Sequence, residues 1–206
     1  LRRQRQMCIR DSTSTGRDTN ILFMNEGIAE GHAINGVLID RTADYAVASD
    51  VSGDQGFLTP TNDRDVVLAD LNGDGWLDMA TAPTLTDNSQ KHLSHPRIYI
   101  NLGESGGVWQ GFRFEDARIP EMHPTAGPRF CSVAAGDIDG DGDLDLYFGD
   151  YDSGGSIIFD YNNRLLINNG SGFFTDETNS RLTGEMSLSA FGLSLIHISE
   201  PTRQKP

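Results

Sequence analysis

Nine consecutive residues, DIDGDGDLD at 137–145, hold five aspartates. Two carboxylates ~4 Å apart repel by about 1 kcal/mol even in water, so a folded loop that gathers several of them needs a compensating positive charge. Asp137, Asp139, Asp141 and Asp145 occupy positions one, three, five and nine of the stretch. Their carboxylates can turn inward around a tight loop while the carbonyl of Asp143 adds a fifth oxygen, its own carboxylate left to solvent. Hard oxygen donors at alternating positions suit Ca²⁺, which takes six to eight oxygens at ~2.3–2.6 Å. Cation binding is therefore the chemistry to expect.

A second stretch, DLNGDGWLD at 70–78, repeats the pattern. It offers Asp70, Asn72, Asp74, the carbonyl of Trp76 and Asp78, so a second Ca²⁺ site is expected. With three carboxylates instead of four it should bind more weakly, because affinity follows ligand charge. Gly75 and Gly142 stand at the sixth position, where a sharp turn disfavours a side chain. A solvated turn rich in Asp and Gly is the alternative, and two copies in the same phase weigh against it. A helical calcium loop would need an acidic twelfth residue; the twelfth positions are Thr81 and Phe148.

Both loops belong to longer repeats. The segment VVLADLNGDGWLDMATA (66–82) aligns without gaps on SVAAGDIDGDGDLDLYFGD (132–150) at an offset of 67 residues, and the same offset places RIYIN (97–101) on RLLIN (164–168). NILFMNEG (20–27) matches NRLLINNG (163–170), and each such segment is followed by a run ending in Asp: VLID, FRFED and GFFTD. A period of this size signals a repeat architecture. Each unit reads as four short strands: a small apolar one buried on both faces (Val66–Ala69; Val133–Ala135), the acidic loop, an alternating strand, the RIYIN or RLLIN strand, and one containing Phe. Four antiparallel strands per unit describe a propeller blade. The fold class predicted is all-β, a partial β-propeller. Two complete four-stranded blades (about 62–120 and 129–183) are flanked by portions of two others (about 20–44 and 187–192).

Closing the acidic loop at position nine, between two strands, resembles the calcium-binding hairpins of the FG-GAP/VCBS repeat family, which includes integrin α-chain propellers. NRLLINNGSGFFTDET (163–178) is similar to the outer strands of bacterial members. The resemblance spans about 20–192 and implies Ca²⁺ on the hairpins between first and second strands, with ligand sites elsewhere on the rim or opposite face. Long connections at 43–61, 82–96 and 150–162 are where binding specificity tends to reside. The two ends fit none of this. LRRQRQMCIRDS and LSLIHISEPTR resemble translated sequencing-adapter DNA: codons for Met7–Asp11 have a reverse complement that encodes Leu-Ser-Leu-Ile-His, as at 193–197. Residues 1–12 and 193–206 are accordingly set aside as non-native, with 13–192 as the propeller fragment.

The whole chain carries 16 Lys and Arg against 30 Asp and Glu, which excludes a basic nucleic-acid footprint. No apolar run reaches the length of a membrane span, so no transmembrane segment is expected. Cys131, beside an apolar run, reads as a small buried thiol. Catalytic motifs are weak. GESGG (103–107) fits a nucleophile elbow in letters but falls between two strands, YDSGG (151–155) has no partner, and His92, His95 and His123 read as solvated loop residues. Trp76, Phe112, Phe173 and Phe174 read as packing between blades. The expectation is a non-enzymatic, calcium-stabilised scaffold, extracellular, at the cell surface or periplasmic. Its partners would be the remaining blades of a parent chain and a protein or glycan ligand. The competing expectation is the propeller portion of a larger secreted hydrolase or lyase.

Overall fold

The computed structural model describes residues 7–10, 18–84, 90–122, 127–150, 159–160 and 163–182; for 7–10, 127–128 and 159–160 it describes backbone pairing alone. Among the described residues, helix is confined to single turns at Thr42–Tyr45, Lys91–Ser94 and Thr178–Arg181 and to short 3-10 turns. The rest of the regular structure is strand.

Three main sheets follow one another along the chain. The first holds β1 (Met7–Arg10), β2 (Ile21–Glu26) and β3 (Val37–Asp40), in that order. A short strand β4 (Ala48–Ser49) leads to the second sheet of β5 (Asp63–Ala69), β6 (Asp78–Pro83), β7 (Arg97–Asn101) and β10 (Phe112–Phe114). Between β7 and β10 projects a small hairpin of β8 (Glu104–Ser105) and β9 (Val108–Trp109). β11 (Gly127–Pro128) and β14 (Phe159–Asp160) form a separate parallel pair. The third sheet contains β12 (Phe130–Gly136), β13 (Asp145–Asp150), β15 (Arg164–Asn168) and β16 (Phe174–Asp176), again in chain order.

The 67-residue offset holds residue for residue through the first three strands of the second and third sheets. Even the register break recurs, between Asp63 and Asp65 in one and Phe130 and Ser132 in the other. Each of these two sheets thus contains four consecutive antiparallel strands of the kind expected of one unit.

The second sheet departs from four strands. β4 pairs in parallel with the outer strand β10, Ala48 opposite Arg113 and Ser49 opposite Phe114. The connection over 43–61 is held there by a buried ion pair: Arg97 donates to Asp54 through Nη1 (3.0 Å) and Nη2 (2.9 Å), both side chains fully buried. Met7–Arg10, set aside above as non-native, pairs antiparallel with Ile21–Met24. Main-chain donors and acceptors are generic, so an open strand edge accepts any extended segment.

Apolar packing joins the sheets. One cluster unites Ala69, Leu71, Ala80, Ile98 and Ile100 of the second sheet with Phe130, Val133, Leu146, Phe148 and Leu166 of the third. Another sets Leu22 and Met24 of the first against Met79, Tyr99, Phe112 and Phe114 of the second. The strands buried on both faces are consequently β6, β7, β13 and β15. The expectation that the inner strand would be so buried, and the second strand alternating, is corrected: Val66 and Leu68 remain 36% and 40% exposed. Leu68 shares a face with its partner Met79, and the described strands of the first sheet cover that face at Met79 and Tyr99 but leave Leu68 open. Phe112 and Phe174 are buried as expected, whereas Phe173 is 44% exposed beneath the Arg118 guanidinium, 4.7 Å from its ring centre. Cys131 is half-buried, its thiol donating to the Asp150 carbonyl (3.2 Å). No helix among the described residues is long and apolar enough to cross a membrane. The fourth unit predicted at 187–192, His123 and YDSGG lie outside the described residues.

Candidate metal centre

Each acidic loop is the turn of the hairpin between the first two strands of its sheet. The last paired residues are Ala69 with Asp78 and Gly136 with Asp145, so the ninth residue of each loop also opens the second strand. That placement buries it. Asp78 and Asp145 are 0% and 1% exposed, and each carboxylate is held by two backbone N–H groups. Asp78 accepts from Asn101 at Oδ1 (2.8 Å) and Leu71 at Oδ2 (3.1 Å). Asp145 accepts from Asn168 at Oδ1 (2.9 Å) and Ile138 at Oδ2 (2.8 Å). The closing aspartate therefore ties the second loop residue to the end of the third strand.

The remaining acidic residues wrap the turn. Asp70 accepts from Asp74 and Gly75 N–H (3.1 and 2.9 Å), and Asp137 from Gly140 and Gly142 N–H (2.8 and 3.2 Å). Asp74 and Asp141 each accept from the N–H two residues on (2.8 and 3.0 Å). These bonds need left-handed backbone at the sixth position, where Gly75 and Gly142 have φ of 85° and 98°. Asn72 bonds Asp74 through both ends of its amide, donating from Nδ2 and accepting its N–H, each at 3.0 Å. Asp143 departs from expectation: it is half-buried, with its carboxylate against Gly170 rather than in open solvent. Trp76 lays its indole against Gly103.

Asp137, Asp139 and Asp145 bring one carboxylate oxygen each within 4.8 Å of one another, and among the described residues this is the one such trio of acidic, His or Cys side chains. Two oxygens on opposite sides of a single Ca²⁺ are separated by about 4.6–5.2 Å, twice the usual Ca–O distance, so the trio fits a shared ion. Asp141 lies outside it. In the first loop Asp70, Asp74 and Asp78 do not form an equivalent trio. The buried member of each loop carries the electrostatic cost. Burial pushes the Asp78 carboxyl up to about 6, against the opposing Asn101 and Leu71 N–H bonds and with the Asp74 and Asp70 charges adding to it. Asp145 is shifted upward for the same first reason, with Asp139 and Asp141 adding to it. One cation already approaches the second loop: Arg181 Nη2 is 3.3 Å from Asp139 Oδ2.

Sequence reasoning missed the residues that support these loops. Asn101 and Asn168, ending the third strands, donate through Nδ2 to Leu77 and Leu144 carbonyls, both at 3.0 Å. A recurring Asp-x-Thr staple follows the outer strand. Thr42 and Thr178 donate to Asp40 and Asp176 (2.7 and 2.5 Å) and accept from Leu22 and Leu165 N–H (2.8 and 2.9 Å). The Asp that ends each VLID-like run was the visible half of that signal. His95 is also corrected: it is 2% exposed, not solvated. Its Nε2 accepts the Met122 N–H (3.1 Å), so the neutral ring donates from Nδ1 to Ser94 Oγ (3.0 Å). GESGG forms the β8–β9 hairpin with its turn at Gly106 and Gly107, with no helix to make an elbow.

With this geometry in place, comparison with known proteins is direct. Residues 70–148 match the family model described as an FG-GAP-like repeat, a span that opens on the first residue of the first acidic loop and closes in β13. No curated protein matches the chain.

Proposed function

From a chain whose residues 70–148 match the FG-GAP-like repeat model, we propose a calcium-stabilised, non-catalytic β-propeller scaffold of the extracellular type. Its surface loops present a binding face to a protein or glycan. The observation that carries this reading is the convergence of Asp137, Asp139 and Asp145 within 4.8 Å on the hairpin of a repeated blade. Asp137, Asp139 and Asp145 would hold the ion, with Asp141 and the Asp143 carbonyl completing the shell after a small closure of the turn. The first loop would hold a second, weaker ion through Asp70, Asn72, Asp74, the Trp76 carbonyl and Asp78. What the ion supplies is positive charge at the point where acidic residues crowd. Extracellular calcium modules bind at about 10⁻⁴–10⁻³ M, levels found outside cells, and this supports the external location.

Calcium that binds only the folded chain stabilises it by about 0.4–1.4 kcal/mol at a one- to tenfold excess over Kd, the ratio that millimolar Ca²⁺ reaches at such affinities. Asp137→Ala should therefore lower Tm by more in millimolar Ca²⁺ than in chelator, where only its bonds to the Gly140 and Gly142 N–H groups are lost. Equal losses in both conditions, or no heat on titrating Ca²⁺ into the native chain, would contradict the proposal.

A further inference from the structure

The two acidic loops sit on different sheets, yet one side chain touches both. Asn168 ends β15 and is 4% exposed. Its backbone N–H donates to Asp145 Oδ1 (2.9 Å), the closing carboxylate of the second loop. Its side-chain amide donates to the Leu144 carbonyl of that loop (3.0 Å). It also donates to the Leu71 carbonyl of the first loop (2.7 Å), a residue 97 positions away.

The orientation of this amide is set by its surroundings. Asn168 Oδ1 accepts from the N–H groups of Gly170 and Gly172 (3.2 and 3.0 Å). A backbone N–H can only donate, so the oxygen must face the glycines and the NH₂ must face the two carbonyls. Leu71 is held from its other side as well, its N–H donating to Asp78 Oδ2 (3.1 Å). A hydrogen-bonded path thus runs from Asp145 through Asn168 and Leu71 to Asp78, joining the closing carboxylates of both loops.

Neighbouring contacts keep that path taut. Arg118, in the 3-10 turn that follows β10, donates to the Ser171 carbonyl (2.7 Å) and lies over Phe173. A Cβ on Gly172 would come within 3.3 Å of both the Leu71 carbonyl and Asn72, so the 169–173 turn rests directly on the first loop. Asn101 makes the corresponding bonds to its own loop, at Asp78 and Leu77.

We propose that Asn168 is a positioning residue that couples cation occupancy of the two loops, each ion binding more tightly when the other loop is filled. This rests on the calcium reading above. An ion drawn onto Asp145 fixes the end of β15 and with it the Leu71 carbonyl, so the first loop is already ordered when its own ion arrives. Ordering cost borne once is not borne again, which is positive cooperativity without a change of fold.

The test uses the full chain and calorimetric titration of Ca²⁺. Asp70→Ala, which disables the first loop, is expected to weaken binding at the second loop about fivefold or more, the lower range of ordinary coupling. In a chain that also carries Asn168→Asp, which keeps the oxygen that serves the glycines but loses both NH₂ donors, the same Asp70→Ala change should shift the second loop less than about twofold, below that range. Reciprocity requires Asp137→Ala to weaken the first loop by the same factor as Asp70→Ala weakens the second, and this arm needs no change at Asn168. Calcium binding at both loops with no cross-effect, unequal factors, or a cross-effect undiminished by Asn168→Asp would overturn the coupling alone. No binding at either loop would overturn the calcium reading and the coupling with it.

Discussion

Removing the Asp54 carboxylate should destabilise the chain more than any single change at the acidic loops. Arg97 is fully buried, and its guanidinium gives two of its bonds to Asp54, at 3.0 and 2.9 Å. It also donates to the Tyr99 hydroxyl (2.7 Å) and the carbonyls of Gly56 (3.2 Å) and His92, and stacks 3.5 Å from the centre of the Phe114 ring. Asp54 feels the pairing too: burial pulls its carboxyl upward, yet the Arg97 bonds and charge hold it below the usual carboxylate range. Asp54→Ala leaves a desolvated cation without its counter-charge, a loss of about 3–5 kcal/mol when one partner of a buried pair is deleted. For a chain of this length that corresponds to a fall in Tm of about 6–20 °C. Urea unfolding with an unchanged m-value would report it as a drop in midpoint. The double variant Asp54→Ala with Arg97→Met removes the stranded charge and should recover about 2 kcal/mol or more of the loss. A single-variant loss below about 1 kcal/mol, the range of an exposed pair, or a double variant no better than the single, would show that this ion pair does not anchor the 43–61 connection.

His95 supplies a pH signature. Burial, then the Lys91 and Arg164 charges, lowers its pKa from 6.5 to about 4, so between these values the unfolded state takes up a proton that the folded state refuses. The stability advantage of the native chain over His95→Gln should shrink as pH falls from 6.5 toward 4, by about 1.4 kcal/mol per pH unit at the steepest; a difference constant across that window, read by urea unfolding, would contradict the buried neutral ring. Thr178→Val keeps the shape but leaves the buried Leu165 N–H without its acceptor, and should cost about 1–3 kcal/mol, with amide exchange at Leu165 accelerating in step. Gly142→Ala forces a side chain into backbone at φ 98° and should cost about 1 kcal/mol or more, visible as a lowered Tm in chelator as well as in calcium.

The sheets were legible in the sequence because each unit repeats its own chemistry. An offset of 67 residues carried the acidic loop and the RIYIN and RLLIN strands together, and the structure keeps both in place and adds a register break at the same point of each unit. What the pattern could not show was how the units meet. Strand β4 adds to the second sheet through a connection with no periodicity, and its anchor, Asp54, looks in sequence like one more loop carboxylate. Its partner Arg97 looks like an ordinary strand-start cation. Burial of both becomes apparent only when Tyr99 and Phe114 close over them. The same blindness made His95 read as solvated: a polar loop in sequence folds back so that Met122 meets the imidazole.

For the acidic loops the limits lie elsewhere. Spacing pointed to candidate positions, and the structure brings Asp137, Asp139 and Asp145 together while leaving Asp141 outside the trio. Spacing could not reveal that the carboxylates have two jobs. Asp70 and Asp137 hold the N–H groups of their own turns, while Asp78 and Asp145 hold the second loop residue against the third strand. Backbone donors alone can therefore shape each turn before any cation arrives, and this explains how so much like charge survives in a folded hairpin. The closing pair is where that arrangement is most strained, because both carboxyls are pushed upward by burial. A cation would relieve the same groups that the fold has made hardest to ionise, so ion affinity and hairpin stability are two readings of one set of bonds. It follows that a substitution such as Asn168→Asp, which replaces none of the loop carboxylates, is expected to register in both.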